Sequence, residues 1–110
     1  MSQTMNVKRI FAKLEERFNP AQANGLDAVF QFAVDDADSF YFQVNNQVLK
    51  ANWGEHKDPN ITLRLSEETL AQVVAGELDG MSAFMRGKLR AEGDVMLATR
   101  LGKLFRHALS

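Results

Sequence analysis

Chemistry in this chain would have to begin with His56, His107 and the aspartates Asp35, Asp36 and Asp38, whose side chains could hold a metal or move a proton. A zinc or iron site needs about three protein ligands in fixed geometry. His56 falls in an expected loop and His107 at an expected helix end, and no carboxylates stand at a spacing that would complete a set. The aspartate cluster lacks the rest of a calcium-loop pattern and reads as a hairpin turn. There is no nucleophile elbow, no phosphate-cradling glycine loop and no dinucleotide fingerprint. Gly87 and Gly93 bracket a short alternating segment and read as backbone punctuation. With no cysteine, disulfides, thiolate catalysis and iron–sulfur ligation are excluded. No catalytic residue, metal ligand or cofactor is therefore expected, and binding is a better class than catalysis.

The elements that would position a binding site are legible in the spacing. Val7, Ile10, Phe11, Leu14 and Phe18 recur with helical period, and Asn19-Pro20 stops that helix. The period then changes to two. Ala28, Phe30, Phe32 and Val34 share one face of a strand, and Phe40, Phe42 and Val44 share one face of a second. The run Asp35–Ser39 turns between them, and Asn45-Asn46 suits a tight reversal into a third strand over 47–53. Ile61, Leu63 and Leu65 mark a fourth strand.

Ser66 then caps a helix with Leu70, Val73 and Val74 as its apolar stripe, ended by Gly76. Asp79 caps a short helix carrying Met81, Phe84 and Met85, closed by Gly87. A fifth strand spans 88–92. Asp94 opens one last helix along which Leu97, Ala98, Leu101, Leu104, Phe105 and Ala108 fall at helical spacing.

A three-strand meander followed by strands that return through helices predicts an α+β fold. It has a single mixed, mainly antiparallel five-stranded sheet, one polar face, and about five helices over the other. At 110 residues and 45% hydrophobic composition, one domain over 1–110 is expected. The apolar inventory exceeds what two covering helices need, and Met81, Met85 and Met96 add adaptable side chains suited to a variable occupant. Periodicity alone does not separate an internal cavity from a packed core, so a non-catalytic scaffold or dimerisation domain with a filled core is the alternative.

Charge is uneven. From Met81 onward Arg86, Lys88, Arg90, Arg100, Lys103 and Arg106 stand against only Glu92 and Asp94, whereas the preceding part is acidic. The basic segment fits either transient contact with an anionic membrane, through Arg100, Lys103 and Arg106, or a solvated helix face. The strand aromatics have no basic residues interleaved with them, so nucleic acid is not an expected partner. No apolar run reaches bilayer length and no signal-peptide core is evident. The terminal Ala108-Leu109-Ser110 is not a peroxisomal address, and a cytoplasmic location is expected.

From about Ala28 to Phe105 the sequence resembles the sterol carrier protein type 2 (sterol-binding domain) family. The resemblance rests on Pro59-Asn60-Ile61-Thr62-Leu63, on Ser66 to Leu70 with Gly76, and on Ala83-Phe84-Met85-Arg86-Gly87-Lys88-Leu89-Arg90. Gly93-Asp94 and the Leu97-Ala98, Leu101, Leu104 stripe complete it. It implies an intracellular lipid-binding or transfer domain with a hydrophobic tunnel for a fatty acid, acyl-coenzyme A, sterol or isoprenoid quinone precursor. Matching positions nominate Phe84, Met85, Leu97, Leu101 and Leu104 as lining. Strand parity adds Phe32, Phe42 and Val44, and the helix stripes add Val73, Val74, Met81 and Phe105. Gly80 stands where many members have proline, which implies a looser tunnel wall beside the short helix.

Overall fold

The computed structural model describes residues 5–105. Helix α1 spans Val7–Arg17, and its first turn is closed by the Asn6 side chain, which accepts from the Arg9 amide at 3.0 Å. Val7, Ile10 and Leu14 point into the core. After Asn19 the chain makes a short 3-10 turn at Pro20–Ala23.

Strands β1 (Ala28–Val34), β2 (Phe40–Asn45) and β3 (Val48–Trp53) form the expected meander, with Phe30 opposite Phe42 and Phe42 opposite Ala51. Asn46 and Gln47 both have positive φ, the pairing a two-residue hairpin needs to match strand twist. Strand β4 (Ile61–Leu65) then lies parallel to β1, and β5 (Leu89–Gly93) pairs antiparallel with β4. The order is β3-β2-β1-β4-β5. The fold class matches the sequence reading.

The passage from β3 to β4 is not helical. It is an irregular crossover through residues 54–60, and Gln31 explains how the sheet holds it. Gln31 lies on the strand face opposite Phe30 and Phe32, yet it is buried. Its Nε2 donates to the carbonyls of Phe40 and Gly54, both at 3.0 Å, and its Oε1 accepts from the His56 amide at 2.8 Å. One glutamine thus ties the loop across the otherwise polar face.

Helix α2 (Glu67–Val74) is capped by Ser66, whose oxygen accepts from the Thr69 amide at 3.1 Å. Asp36 accepts from the Glu67 amide at 2.9 Å, and the Glu67 carboxylate accepts from the Val7 amide at 2.9 Å. The aspartate turn therefore has a structural use: it docks the start of α2, which in turn docks α1. Helix α3 (Gly80–Met85) is capped by Asp79, which accepts from the Ser82 amide at 3.1 Å.

The expected single last helix is two short ones, α4 (Val95–Ala98) and α5 (Leu101–Leu104). The break falls at Thr99–Arg100, where the Thr99 hydroxyl donates to the Met96 carbonyl at 2.7 Å, and α5 starts without a side-chain cap. Re-aiming the chain there lets both Leu101 and Leu104 reach the core. The chain then pairs back on itself through an isolated bridge between Phe18 and Phe105, and the Asn19 amide donates to the Leu104 carbonyl at 2.7 Å. Ala108, expected on the same stripe, lies outside the described residues, as does His107.

Candidate functional site

The interior lies between the apolar face of the sheet and the helical layer. Phe30 and Phe32 of β1, Phe40 and Phe42 of β2, and Phe105 beyond α5 are closed to solvent. Their rings pack at 4.8 Å for Phe32–Phe40, 5.6 Å for Phe32–Phe42 and 5.4 Å for Phe42–Phe105. Ile61, Leu63 and Leu65 extend the face through β4, and Ile10 and Leu14 cover it from α1. Burying such side chains stabilises by about 1.5–3 kcal/mol each.

Of the residues predicted to line a ligand site, Phe32, Phe42, Val44, Val74, Leu101, Leu104 and Phe105 belong to this buried cluster, and Leu97 packs against it. Val73 is buried but outside the cluster. Met81, Phe84 and Met85 are not brought to it: they are 60%, 50% and 78% exposed. The reason is helical geometry. The residue α3 turns inward is Ala83, and at 100° per residue Met81 and Met85 fall on the side opposite it, with Phe84 on the flank. The spacing of these three defines one face, as the sequence suggests, but that face looks outward. On α4, Leu97 and Ala98 pack inward while Val95 and Met96 are exposed.

Sequence reasoning left several contributors out of the site. Ile10, Leu14, Phe30 and Phe40 share the same enclosed layer, and their signal was present in the parity and period that located Phe32 and Phe42. Phe11 stacks on Trp53 at 4.4 Å and covers Phe40 edge-on at 5.5 Å, which the sequence does not reveal. Asn60 also has a role beyond its place in a motif. Its side chain accepts from the Val29 amide at 2.8 Å and its carbonyl accepts from the Asp94 amide at 2.8 Å, so it joins β1 to the end of β5.

Electrostatically the interior is bare. The only buried polar side chains among the described residues are Gln31 and Thr69, and no buried side-chain nitrogen or oxygen lacks a partner. Thr69 is engaged by Ser66 within the α2 cap at 3.0 Å. Such a layer offers dispersion and solvent exclusion to an apolar group, with no directional handle for a polar one.

Among the described residues no group of three or more His, Cys, Asp or Glu side chains could hold a metal ion. The His56 ring is occupied locally, its Nδ1 accepting from the Asp58 amide at 3.0 Å. A separate depression of about 520 Å³ opens at the far end of β1–β3, where Val34 and Trp53 meet Asp38 and Glu55. It shares no residue with the predicted lining.

Lys103 is exposed, and Arg100 is exposed with its guanidinium donating to the Gln22 carbonyl at 3.3 Å. Arg106 lies outside the described residues. No helix among the described residues is long and apolar enough to cross a membrane.

Comparison with known proteins places this architecture. Among solved structures, the stereoselective inverting sec-alkylsulfatase Pisa1 from Pseudomonas sp. matches with a TM-score of 0.81 and 23% identity, over 92% of this chain and 16% of that one. The palmitated sterol carrier protein 2-like 2 of Aedes aegypti matches with a TM-score of 0.68 and 24% identity, over 96% of this chain and 99% of that one. Hydroxysteroid dehydrogenase-like protein 2 of Rattus norvegicus is 26% identical over 104 residues, 92% of this chain and 20% of that protein. The chain thus spans about a fifth of that curated relative. The model of the SCP-2 sterol transfer family matches residues 7–106, nearly the whole length described above. The chain belongs to the SCP-2 sterol transfer family.

Proposed function

We propose that the chain binds a lipid and hands it on, holding the apolar part of the ligand between the sheet face and helices α4 and α5. The observation that carries this reading is an enclosed aromatic and aliphatic layer, without a free polar group, in a member of a sterol transfer family. The part of the cover formed by α4 and α5 is light. Each is four residues long, and the two are broken apart at Thr99–Arg100. Short elements with few buried residues open at lower free energy than a core strand.

The proposed lining is Phe32, Phe42 and Val44 below, Val73 and Val74 at one side, and Leu97, Leu101, Leu104 and Phe105 above. Met81, Phe84 and Met85 would join it only if α3 turned its outer face inward. The ligand class is a long apolar chain or ring system: a fatty acid, acyl-coenzyme A, sterol or isoprenoid quinone precursor. The palmitated state of the mosquito protein, which has this fold, supports an acyl chain. A sixteen-carbon tail offers about 12 kcal/mol at about 0.8 kcal/mol per methylene, against association costs of about 4–15 kcal/mol. Micromolar binding of several lipids follows, with little selectivity from an interior that has no polar contact to give. Exchange at an anionic membrane through Arg100, Lys103 and Arg106 is part of the same proposal.

One observation favours a second reading. The phenylalanine rings are in mutual contact and closed to solvent, as in a scaffold or dimerisation domain with a filled core. Native mass spectrometry of the freshly purified full chain separates the two. Carriage predicts a co-purifying lipid near one equivalent. No adduct, together with no thermal stabilisation by added fatty acid, acyl-coenzyme A, quinone or sterol, would leave the scaffold, since a ligand that binds only the native state must stabilise it.

A further inference from the structure

The depression of about 520 Å³ at the far end of β1–β3 lies outside the layer proposed to hold lipid. One wall is Trp53, the single tryptophan of the chain, which is 45% exposed at the end of edge strand β3. Phe11 covers one face of the indole, nearly parallel to it at a ring separation of 4.4 Å. Phe40 lies 5.5 Å from Phe11 and 5.9 Å from Trp53, distances that put it beside the stacked pair and not over the second face. The outer face of the indole is therefore open, and the rings behind it hold it in place. Val34 and Ala37 add apolar surface next to it.

Two carboxylates complete the rim. Asp38 and Glu55 are exposed, no basic side chain lines the depression, and neither acid is ion-paired with a described residue. Their backbones are fixed relative to one another. The Gly54 amide donates to the Ser39 carbonyl at 2.8 Å, and the Ser39 hydroxyl accepts from the Val34 amide at 3.0 Å. Glu55 stands between Gly54 and His56, the two residues that Gln31 ties to the sheet. The turn that carries Asp38 and the loop that carries Glu55 are thus joined beside an open aromatic face.

Chemistry selects the occupant. The face of an aromatic ring is the negative pole of its quadrupole, and an indole attracts cations better than the other side-chain rings. The two carboxylates repel a fatty-acid carboxylate or a phosphate and favour positive charge. Among the described residues no group of three ligands could hold a metal ion, whereas alkyl groups on a nitrogen gain contact with Val34, Ala37 and the ring. We propose that this depression binds an organic cation, an alkylated ammonium group seated on the outer face of Trp53 beside Asp38 and Glu55. A free amine and the choline head of a lipid carry that same chemistry. The site goes beyond the lipid-carriage reading, since it shares no residue with the proposed lining.

Because the chain has one tryptophan, the indole Nε1–H resonance in a proton–nitrogen correlation spectrum reports on the site directly. Choline shifts that resonance and the amides of Ser39, Gly54 and Glu55 saturably. Neopentyl carbinol, its uncharged carbon isostere, binds about tenfold more weakly. Trp53→Leu, read through the backbone amides, lowers choline affinity about tenfold by removing the aromatic face. Asp38→Asn with Glu55→Gln lowers it about fivefold at low salt, and the difference shrinks at high salt. These are exposed positions, so both variants stay folded and bind fluorescent fatty acid as wild type does. Dihexanoyl phosphatidylcholine below its micelle concentration separates the sources: tighter binding than choline assigns the site to a lipid head, weaker binding to a free amine.

The proposal is overturned if choline and the lipid head both leave the indole resonance unmoved, or if sodium chloride at equal concentration shifts it as far. Equal binding of the neutral isostere also overturns it, because an apolar hollow would then suffice, as does full choline affinity in Trp53→Leu. Should Trp53→Leu lose the wild-type spectrum elsewhere, the isostere and the carboxylate variant decide.

Discussion

Phe105→Ala is the perturbation that bears hardest on the cover. The ring is closed to solvent and packs at 5.4 Å from Phe42 on the sheet and 5.9 Å from Phe18 at the end of α1. It therefore ties the end of α5 to both layers, beside the Asn19-to-Leu104 hydrogen bond. Truncating a buried phenylalanine costs about 3–5 kcal/mol, and ring pairs contribute about 0.5–1.5 kcal/mol beyond their area. Phe18 is only half-buried, so the site can partly collapse, and about 3 kcal/mol is the expected loss.

Where that loss appears is the test. If α4 and α5 open as a unit apart from the sheet, the exchange of the Lys103 and Leu104 amides, both bonded to the Arg100 carbonyl, rises about a hundredfold. Sheet amides such as those of Phe30 and Phe42, which exchange on global unfolding, lose a similar factor but remain better protected than those of the cover. Native-state hydrogen exchange read residue by residue measures this, with urea unfolding for the global value. A change below about fivefold at Lys103 and Leu104, or protection of these amides in the wild type equal to that of the sheet, would refute a separately opening cover.

Other substitutions follow from the same geometry. Gly93 has φ +105°, and a Cβ there would sit 2.5 Å from the Asn60 carbonyl oxygen, so Gly93→Ala should cost about 3 kcal/mol or more in denaturant melts. Gly80→Ala, at a helical position with open space around it, should stabilise by about 0.5 kcal/mol in the same assay. Gln31→Ala strands the Gly54 carbonyl and the His56 amide and should cost about 2–4 kcal/mol, with exchange rising across the crossover loop. Phe84→Ala, at a half-exposed position, should lower thermal stability by less than about 1 kcal/mol.

The sheet is legible in the sequence because each strand buries one face, so parity alone sorts Phe30, Phe32, Phe40 and Phe42 inward. Glycine and cap chemistry is equally local, and Ser66, Asp79, Asp94, Gly76 and Gly87 all sit where side-chain oxygens and positive φ require them. Two features needed the fold. The stripe Leu97, Leu101, Leu104 continues smoothly across Thr99–Arg100, so nothing in its period announces the break. The α3 stripe defines a face but not its direction. Ala83 is the α3 residue closed to solvent, while Met81, Phe84 and Met85 are exposed. Much of the candidate site was thus readable as apolar positions, and which of them face the interior was settled by packing.

The central claim is that an apolar chain sits between the sheet and α4–α5. The most direct measurement is the set of nuclear Overhauser contacts between protein methyl groups and a bound long-chain fatty acid labelled along its acyl chain. Carriage predicts contacts from the chain to the methyls of Val44, Leu101 and Leu104, all buried in the free structure. Contacts confined to the exposed methyls of Met81, Met85 and Met96, or none at saturating ligand, would contradict it.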